Sequence, residues 1–163
     1  MKIGIVFGTK REGATREIVR WMTDHLQAQG HTVVAAGPGE FTSFDCDRYL
    51  LGTAVYAFSA KRTGMPGFIR AHRGDLQGTP AGVFIVCGVG EQMISPEDGF
   101  LKRSLKNAFL DRQKYLASIV RLLPEPPAST TFFQGYQEPD DRTKIDFPSQ
   151  QEQVVQWCAS QGL

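Results

Sequence analysis

The chain has few of the residues from which metal clusters and disulfide frameworks are built. Its three cysteines, Cys46, Cys87 and Cys158, are widely separated and form no C-x-x-C pair. This spacing excludes the usual zinc and iron–sulfur motifs and predicts reduced thiols. The three histidines also lack metal-ligand spacing with acids or cysteines. We therefore expect the histidines on or near the surface, and no metal site.

Long hydrophobic runs and an excess of one charge are also missing. No apolar run approaches the roughly twenty residues of a membrane-spanning helix, and the N-terminus lacks the layout of a signal peptide. Eighteen Lys and Arg residues balance 17 Asp and Glu residues, which gives a formal net charge of +1. This balance argues against nucleic acid or an anionic membrane surface as the main partner. We expect a cytoplasmic protein without a transmembrane segment.

Two familiar nucleotide-binding motifs are absent from the stretch 8–15, which reads Gly-Thr-Lys-Arg-Glu-Gly-Ala-Thr. The triphosphate motif G-x-x-x-x-G-K-[ST] fails because Ala14 and Thr15 follow Gly13. The dinucleotide motif G-x-G-x-x-G is missing too, and the second predicted strand ends at Ala36 without an acidic residue. A phosphate monoester therefore suits this stretch better than a nucleoside triphosphate or a dinucleotide.

The same stretch has the layout of a phosphate-binding loop. The apolar run 1–7 predicts a buried strand before it, and apolar residues at helical spacing in 15–29 predict a helix after it. In such a turn, backbone N–H groups and the helix dipole favour negative charge at one point. Hydroxyl groups and positive charges are supplied by Thr9, Lys10, Arg11 and Thr15. We predict a phosphate site, with a plain strand-to-helix connection as the alternative.

Strand and helix patterns alternate along the whole chain. Strands are predicted at 1–7, 31–36, 49–53, 81–87 and 129–133. Helices are predicted at 15–29, at 66–72, at 96–124 and after a capping box formed by Ser149 and Glu152. Strands that are apolar on both faces and joined by helices are typical of a parallel sheet covered on each side. No repeat or linker divides the chain, so we expect a single α/β domain over residues 1–163.

Three predicted strand ends are expected to form one site. In an open parallel sheet, a ligand binds beyond the carboxyl ends of the strands. The first, third and fourth strands would present the stretches 8–15, 53–59 and 87–90 along that edge. All three stretches are rich in Gly, Thr and exposed backbone. Such an edge would suit a flat heterocycle that carries a phosphate tail.

Three stretches carry a family resemblance: 15–18 (Thr-Arg-Glu-Ile), 52–57 (Gly-Thr-Ala-Val-Tyr-Ala) and 68–72 (Phe-Ile-Arg-Ala-His). Together with the first loop they resemble the flavodoxin superfamily. More narrowly, they resemble the flavodoxin-domain group that includes the menaquinone-dependent protoporphyrinogen oxidases. The resemblance implies a flavodoxin-like three-layer sandwich, with a five-stranded parallel sheet in the order 2-1-3-4-5 and helices on both faces. It also implies FMN as the cofactor.

The resemblance further assigns residues to that cofactor. The FMN phosphate would be held by Thr9, Lys10, Arg11, Gly13, Ala14 and Thr15. The isoalloxazine ring would be lined on one side by Thr53, Ala54, Val55 and Tyr56, and on the other side by Cys87, Gly88, Val89 and Gly90. No catalytic side chain is assigned, because the flavin itself carries the redox chemistry.

Several functions are compatible with this resemblance. The leading hypothesis is electron transfer or a flavin-dependent oxidation, with protoporphyrinogen and a quinone as one specific case. Partners would then be a redox protein, a quinone or a small-molecule substrate. The pattern Gly8-Thr9-x-Arg11-x-Gly13 also resembles NAD(P)H-dependent FMN reductases, which makes an FMN or quinone reductase an alternative. A flavodoxin-like binding module without flavin is the remaining alternative.

Overall fold

Five parallel strands form the centre of the protein. The computed structural model describes residues 1–10, 13–55, 59–87, 112–135 and 147–163. The strands are β1 (Lys2–Gly8), β2 (Thr32–Ala36), β3 (Arg48–Ala54), β4 (Ala81–Cys87) and β5 (Ser129–Gln134). They lie in the order β2-β1-β3-β4-β5, and every neighbouring pair is parallel. The predicted sheet and its strand order are confirmed.

Helices connect these strands. They are α1 (Ala14–Ala28), α2 (Met65–Ala71), α3 (Arg112–Val120) and α4 (Phe147–Ser160), with a 3-10 helix at Ala60–Thr63 before α2. The predicted helices 15–29 and 66–72 are each displaced by one residue. Helix α3 confirms part of the predicted helix 96–124, whereas residues 96–111 lie outside the described residues. In the described part of the chain, no helix is long and apolar enough to cross a membrane.

The predicted capping box at the start of the last helix is wrong. Helix α4 begins at Phe147, so Ser149 is its third residue and does not precede it. Pro148 occupies the first turn, where a residue without an N–H group costs little because that group has no partner within the helix. The helix can therefore begin at Phe147, two residues before Ser149.

Two hydrophobic layers lie on opposite faces of the sheet. Successive residues of each central strand point to opposite faces, as the pleat requires. On one face, Ile5 and Phe84 pack with apolar side chains of α1 and α4. On the other face, Val6 and Ile85 pack with α2 and α3. All four strand residues are completely buried. This arrangement confirms the three-layer sandwich.

The three cysteines are buried free thiols, as expected for reduced residues. Burial raises the pKa of Cys158 to about 12, and burial is also the main cause that raises the pKa of Cys46. Because the thiolate is the reactive form of cysteine, these two residues should be inert at neutral pH. Their role is to pack the interior.

Gly52 allows two neighbouring strands to share one layer of the interior. It pairs with Phe84 across β3 and β4, and a Cβ atom at Gly52 would overlap the Phe84 ring. The ring lies across this space, with its centroid 5.8 Å from that of Trp157 in α4. Because Gly52 has no side chain, the Phe84 ring can lie over the backbone of β3 and pack against Trp157 of α4.

We expect Gly52→Ala to lower the free energy of unfolding by about 2–3 kcal/mol, because the new methyl group would overpack a filled core. Gly67→Ala in α2 is the matched control, since a Cβ atom there meets nothing within 4 Å. That control should be neutral or stabilise by up to about 1 kcal/mol. Urea unfolding of both variants measures the difference, and equal midpoints would contradict the role given to Gly52.

Candidate functional site

The carboxyl ends of β1, β3 and β4 lie side by side. Gly8 is aligned with Thr53, and Ala54 is aligned with Val86. The Val55 N–H group donates a hydrogen bond to the Val86 carbonyl oxygen at 2.9 Å, which continues the pairing one residue beyond β3. The three predicted stretches therefore start from one edge of the sheet, where parallel α/β proteins bind their ligands.

The start of α1 offers free backbone donors at this edge. Its N-cap residue is Gly13, whose φ of 147° and ψ of −150° lie in a region that is essentially restricted to glycine. The Gly13 carbonyl accepts hydrogen bonds from the N–H groups of Arg16 and Glu17 at 3.0 and 3.2 Å. No side chain caps the helix. The N–H groups of Ala14 and Thr15 precede these bonds and, as first-turn donors, have no partner within the helix.

Such a helix start fits the phosphate of a mononucleotide. Backbone N–H groups and the helix dipole both favour an anion at this point. Lys10 is exposed, and Thr9 is partly buried beside the end of β1. Ala14 and Thr15 are buried, with 8% and 4% of their surface exposed, so their contribution would come chiefly from the backbone. Arg11 lies outside the described residues.

Arg16 adds a positive charge that the sequence analysis did not assign to the site. It is exposed, and its guanidinium carbon lies 5.6 Å from the centroid of the Phe7 ring in β1. Glu17 is the acidic residue in the first turn of α1. Its Oε1 atom lies 3.7 Å from the Arg20 Nη2 atom, and this pairing partly offsets the charge of Glu17. In the sequence, Arg16 contributes only to the family resemblance of the stretch 15–18.

The second predicted stretch is anchored in the interior at its start. Thr53 is 1% exposed, and its Oγ1 atom lies 2.5 Å from the Thr63 Oγ1 atom. It also lies 3.3 Å from the carbonyl oxygen of Ala60. Because its hydroxyl group is engaged inside the protein, any contact of Thr53 with the ring would use the backbone. Its assignment to the ring remains a prediction.

The rest of this stretch is described only in part. Ala54 is 5% exposed, and Val55 is partly buried and packs against the layer that contains α2 and α3. Ala54 is the last residue of β3 and Val55 follows it, and their place beside the ring remains a prediction. Tyr56, which is predicted to lie against the ring, is outside the described residues.

The third stretch begins at a fixed strand end. Cys87 is 2% exposed, and its carbonyl oxygen accepts a hydrogen bond from the Gly135 N–H group at 3.0 Å. This bond ties the end of β4 to the end of β5. Gly88, Val89 and Gly90 lie outside the described residues, so their predicted place beside the ring remains a prediction.

Comparisons with known proteins agree with this architecture. The model of the flavodoxin domain family matches residues 5–135, which is most of the chain. A comparison with curated protein sequences finds no match.

Solved structures share the fold over nearly their whole length. Oxidised flavodoxin 1 from Bacillus cereus superposes with a TM-score of 0.59 at 15% identity, over 99% of this chain and 97% of that chain. Two-electron reduced flavodoxin from Megasphaera elsdenii gives 0.56 at 16% identity, over 97% and 98%. The apo form of an NADH:FMN oxidoreductase gives 0.54 at 14% identity, over 96% and 87%. The extent of the family match decides the identity: this chain belongs to the flavodoxin domain family, and that membership implies FMN as its cofactor.

Proposed function

We propose that this protein holds FMN at the carboxyl edge of its sheet and passes electrons through it. The observation that carries the proposal is the start of α1, where the N–H groups of Ala14 and Thr15 have no partner within the helix. This helix follows β1, whose carboxyl end lies at the same edge of the sheet as those of β3 and β4. FMN supplies one- and two-electron redox chemistry when it is bound. The chain would supply binding, orientation and the electrostatic environment.

The roles of the residues follow from this arrangement. The backbone at Gly13, Ala14 and Thr15 would hold the phosphate, with Thr9, Lys10 and Arg11 around it. The stretches 53–56 and 87–90 would lie on either side of the ring. Backbone hydrogen bonds to the ring would tune its potential, so the proposal needs no dedicated acid or base.

The charge of the chain favours an oxidoreductase over a carrier that docks on proteins through a strongly acidic surface. Such docking depends on complementary surface charge, and the net charge here is +1. A small-molecule donor or acceptor, such as a quinone or NAD(P)H, is therefore the partner we favour. Within this class, the resemblance of the first ninety or so residues makes protoporphyrinogen oxidation with a quinone acceptor the most specific hypothesis.

We expect the freshly purified protein to show flavin absorption bands, or to bind added FMN with a submicromolar dissociation constant. Riboflavin, which lacks the phosphate, should bind about 100-fold more weakly if the α1 N-terminus holds that group. Fluorescence quenching during titration measures both affinities. If the protein shows neither colour nor FMN binding, only the hypothesis of a flavin-free binding module is left. Equal affinities for FMN and riboflavin would mean that the phosphate does not bind at the start of α1.

Thr15→Asp should weaken FMN binding by about 100-fold, because it adds a negative charge in the helix turn whose backbone N–H groups would hold the phosphate dianion. The matched control is Thr23→Asp, which adds the same charge eight residues further along α1, roughly 12 Å away. Riboflavin binding separates the causes, since repulsion of the phosphate affects FMN alone, whereas a distorted site weakens both ligands. Unchanged FMN affinity in Thr15→Asp would contradict the proposed phosphate site.

The electron donor can be identified by anaerobic mixing of the FMN-loaded protein with each candidate. Loss of the flavin absorption on addition of NADH or NADPH would favour the reductase. Loss on addition of protoporphyrinogen, with recovery on addition of a menaquinone, would favour the quinone-linked oxidase. We expect the second result, and reduction by NAD(P)H alone would replace the oxidase hypothesis by the reductase.

A further inference from the structure

A buried pair of hydroxyl groups lies immediately behind the proposed ring site. The Oγ1 atoms of Thr53 and Thr63 are 2.5 Å apart, and these residues are 1% and 8% exposed. Thr53 is the last but one residue of β3, whereas Thr63 is the last residue of the 3-10 helix. The pair therefore joins the two chain segments that flank residues 55–59.

Both hydroxyl protons have acceptors in this arrangement. One hydroxyl group donates to the other, and the Ala60 carbonyl oxygen lies 3.3 Å from each of the two Oγ1 atoms. The second proton is thus directed to Ala60, the first residue of the 3-10 helix, or, when Thr53 carries it, alternatively to the Ala54 carbonyl oxygen, which is also 3.3 Å from the Thr53 Oγ1 atom. A fully satisfied buried network of this kind gives a segment one preferred position. Here the network holds the 3-10 helix against the end of β3, on either side of the stretch that is predicted to carry Tyr56 against the ring.

The Thr63 side chain also contacts the end of β1, where the predicted phosphate stretch 8–15 begins. A Cβ atom built on Gly8 would lie 2.5 Å from the Thr63 Oγ1 atom and 2.7 Å from its Cβ atom. The Thr63 side chain therefore lies directly against the backbone where β1 ends. Gly8 is aligned with Thr53, so the Thr63 side chain contacts the ends of both β1 and β3. These are the strands that precede the predicted phosphate stretch 8–15 and the predicted ring stretch 53–56.

We propose that Thr63 is a positioning residue of the FMN site, whose hydroxyl group, paired with Thr53, fixes the 3-10 helix against the carboxyl ends of β1 and β3. This inference rests on the proposed function. Thr63 would touch neither the phosphate nor the ring, and would act by holding in place, before FMN arrives, the strand ends from which the two cofactor-binding stretches start. Such preorganisation lowers the cost of ordering a loop on binding.

The test replaces each hydroxyl group by a methyl group, in Thr53→Val and Thr63→Val, and keeps the hydroxyl group in Thr63→Ser. The matched control is Thr23→Val, because the Thr23 hydroxyl group donates to Val19 within α1, away from the paired hydroxyls. Titration gives the FMN dissociation constant of each variant. The visible circular dichroism of bound FMN reports the surroundings of the ring, which a general loss of stability would not change.

We expect both Val variants to raise the dissociation constant about tenfold and to alter the visible circular dichroism. Thr63→Ser and Thr23→Val should match the wild type. The double variant Thr53→Val/Thr63→Val should lose little more than either single variant, because both remove the same hydrogen bond. Thr53→Val also decides the question if Thr63→Val does not fold.

Two results would overturn the proposal. The first is wild-type affinity and circular dichroism in the Val variants. The second is a loss in Thr63→Ser as large as that in Thr63→Val, which would assign the effect to packing of the methyl group. A wild-type protein that binds no FMN would instead overturn the proposed function, so the two failures are distinguishable.

Discussion

The parallel pairing of β1 with β3 is the constraint on which the rest of this structure depends. It brings together strands that are separated in sequence by α1, β2 and the loop before β3, and it aligns Gly8 with Thr53. Because parallel strands end at the same edge of a sheet, this one pairing makes the stretch proposed to bind the phosphate and the stretch proposed to line the ring start side by side. The helices on both faces of the sheet then bury the strands, which are apolar on each side.

Small residues make this close arrangement possible. At Gly52 the missing Cβ leaves room for Phe84, and at Gly8 it leaves room for Thr63. Gly13 has a different reason, since its backbone angles at the start of α1 suit only glycine. At Gly8 and Gly52, therefore, a glycine lets a neighbouring side chain pack directly against the strand backbone.

Prediction from the sequence was accurate where local patterns decide the structure. Strand β4 has its predicted limits, and α1 and α2 are displaced by one residue, because apolar periodicity reports burial directly. The capping box at Ser149 was wrong, since a local motif does not exclude a start of α4 one turn earlier. Within the candidate site, the sequence pointed to Gly13, Ala14 and Thr15 but not to Thr63. Thr63 and Thr53 are ten residues apart, and no pattern signals that their side chains meet.

The sequence by itself determined the α/β class, the strand order implied by the resemblance, and the loop most suited to phosphate. The α/β class and the prediction of the phosphate loop follow from residue type and short-range spacing, whereas the strand order came from the family resemblance. Only the tertiary structure decided which side chains face the interior at the sheet edge. It turned the Thr53 hydroxyl group towards Thr63, and it brought Arg16 over the Phe7 ring. The physical reason is that such contacts depend on how the helices and strands pack together, whereas residue spacing records only the contacts within each element.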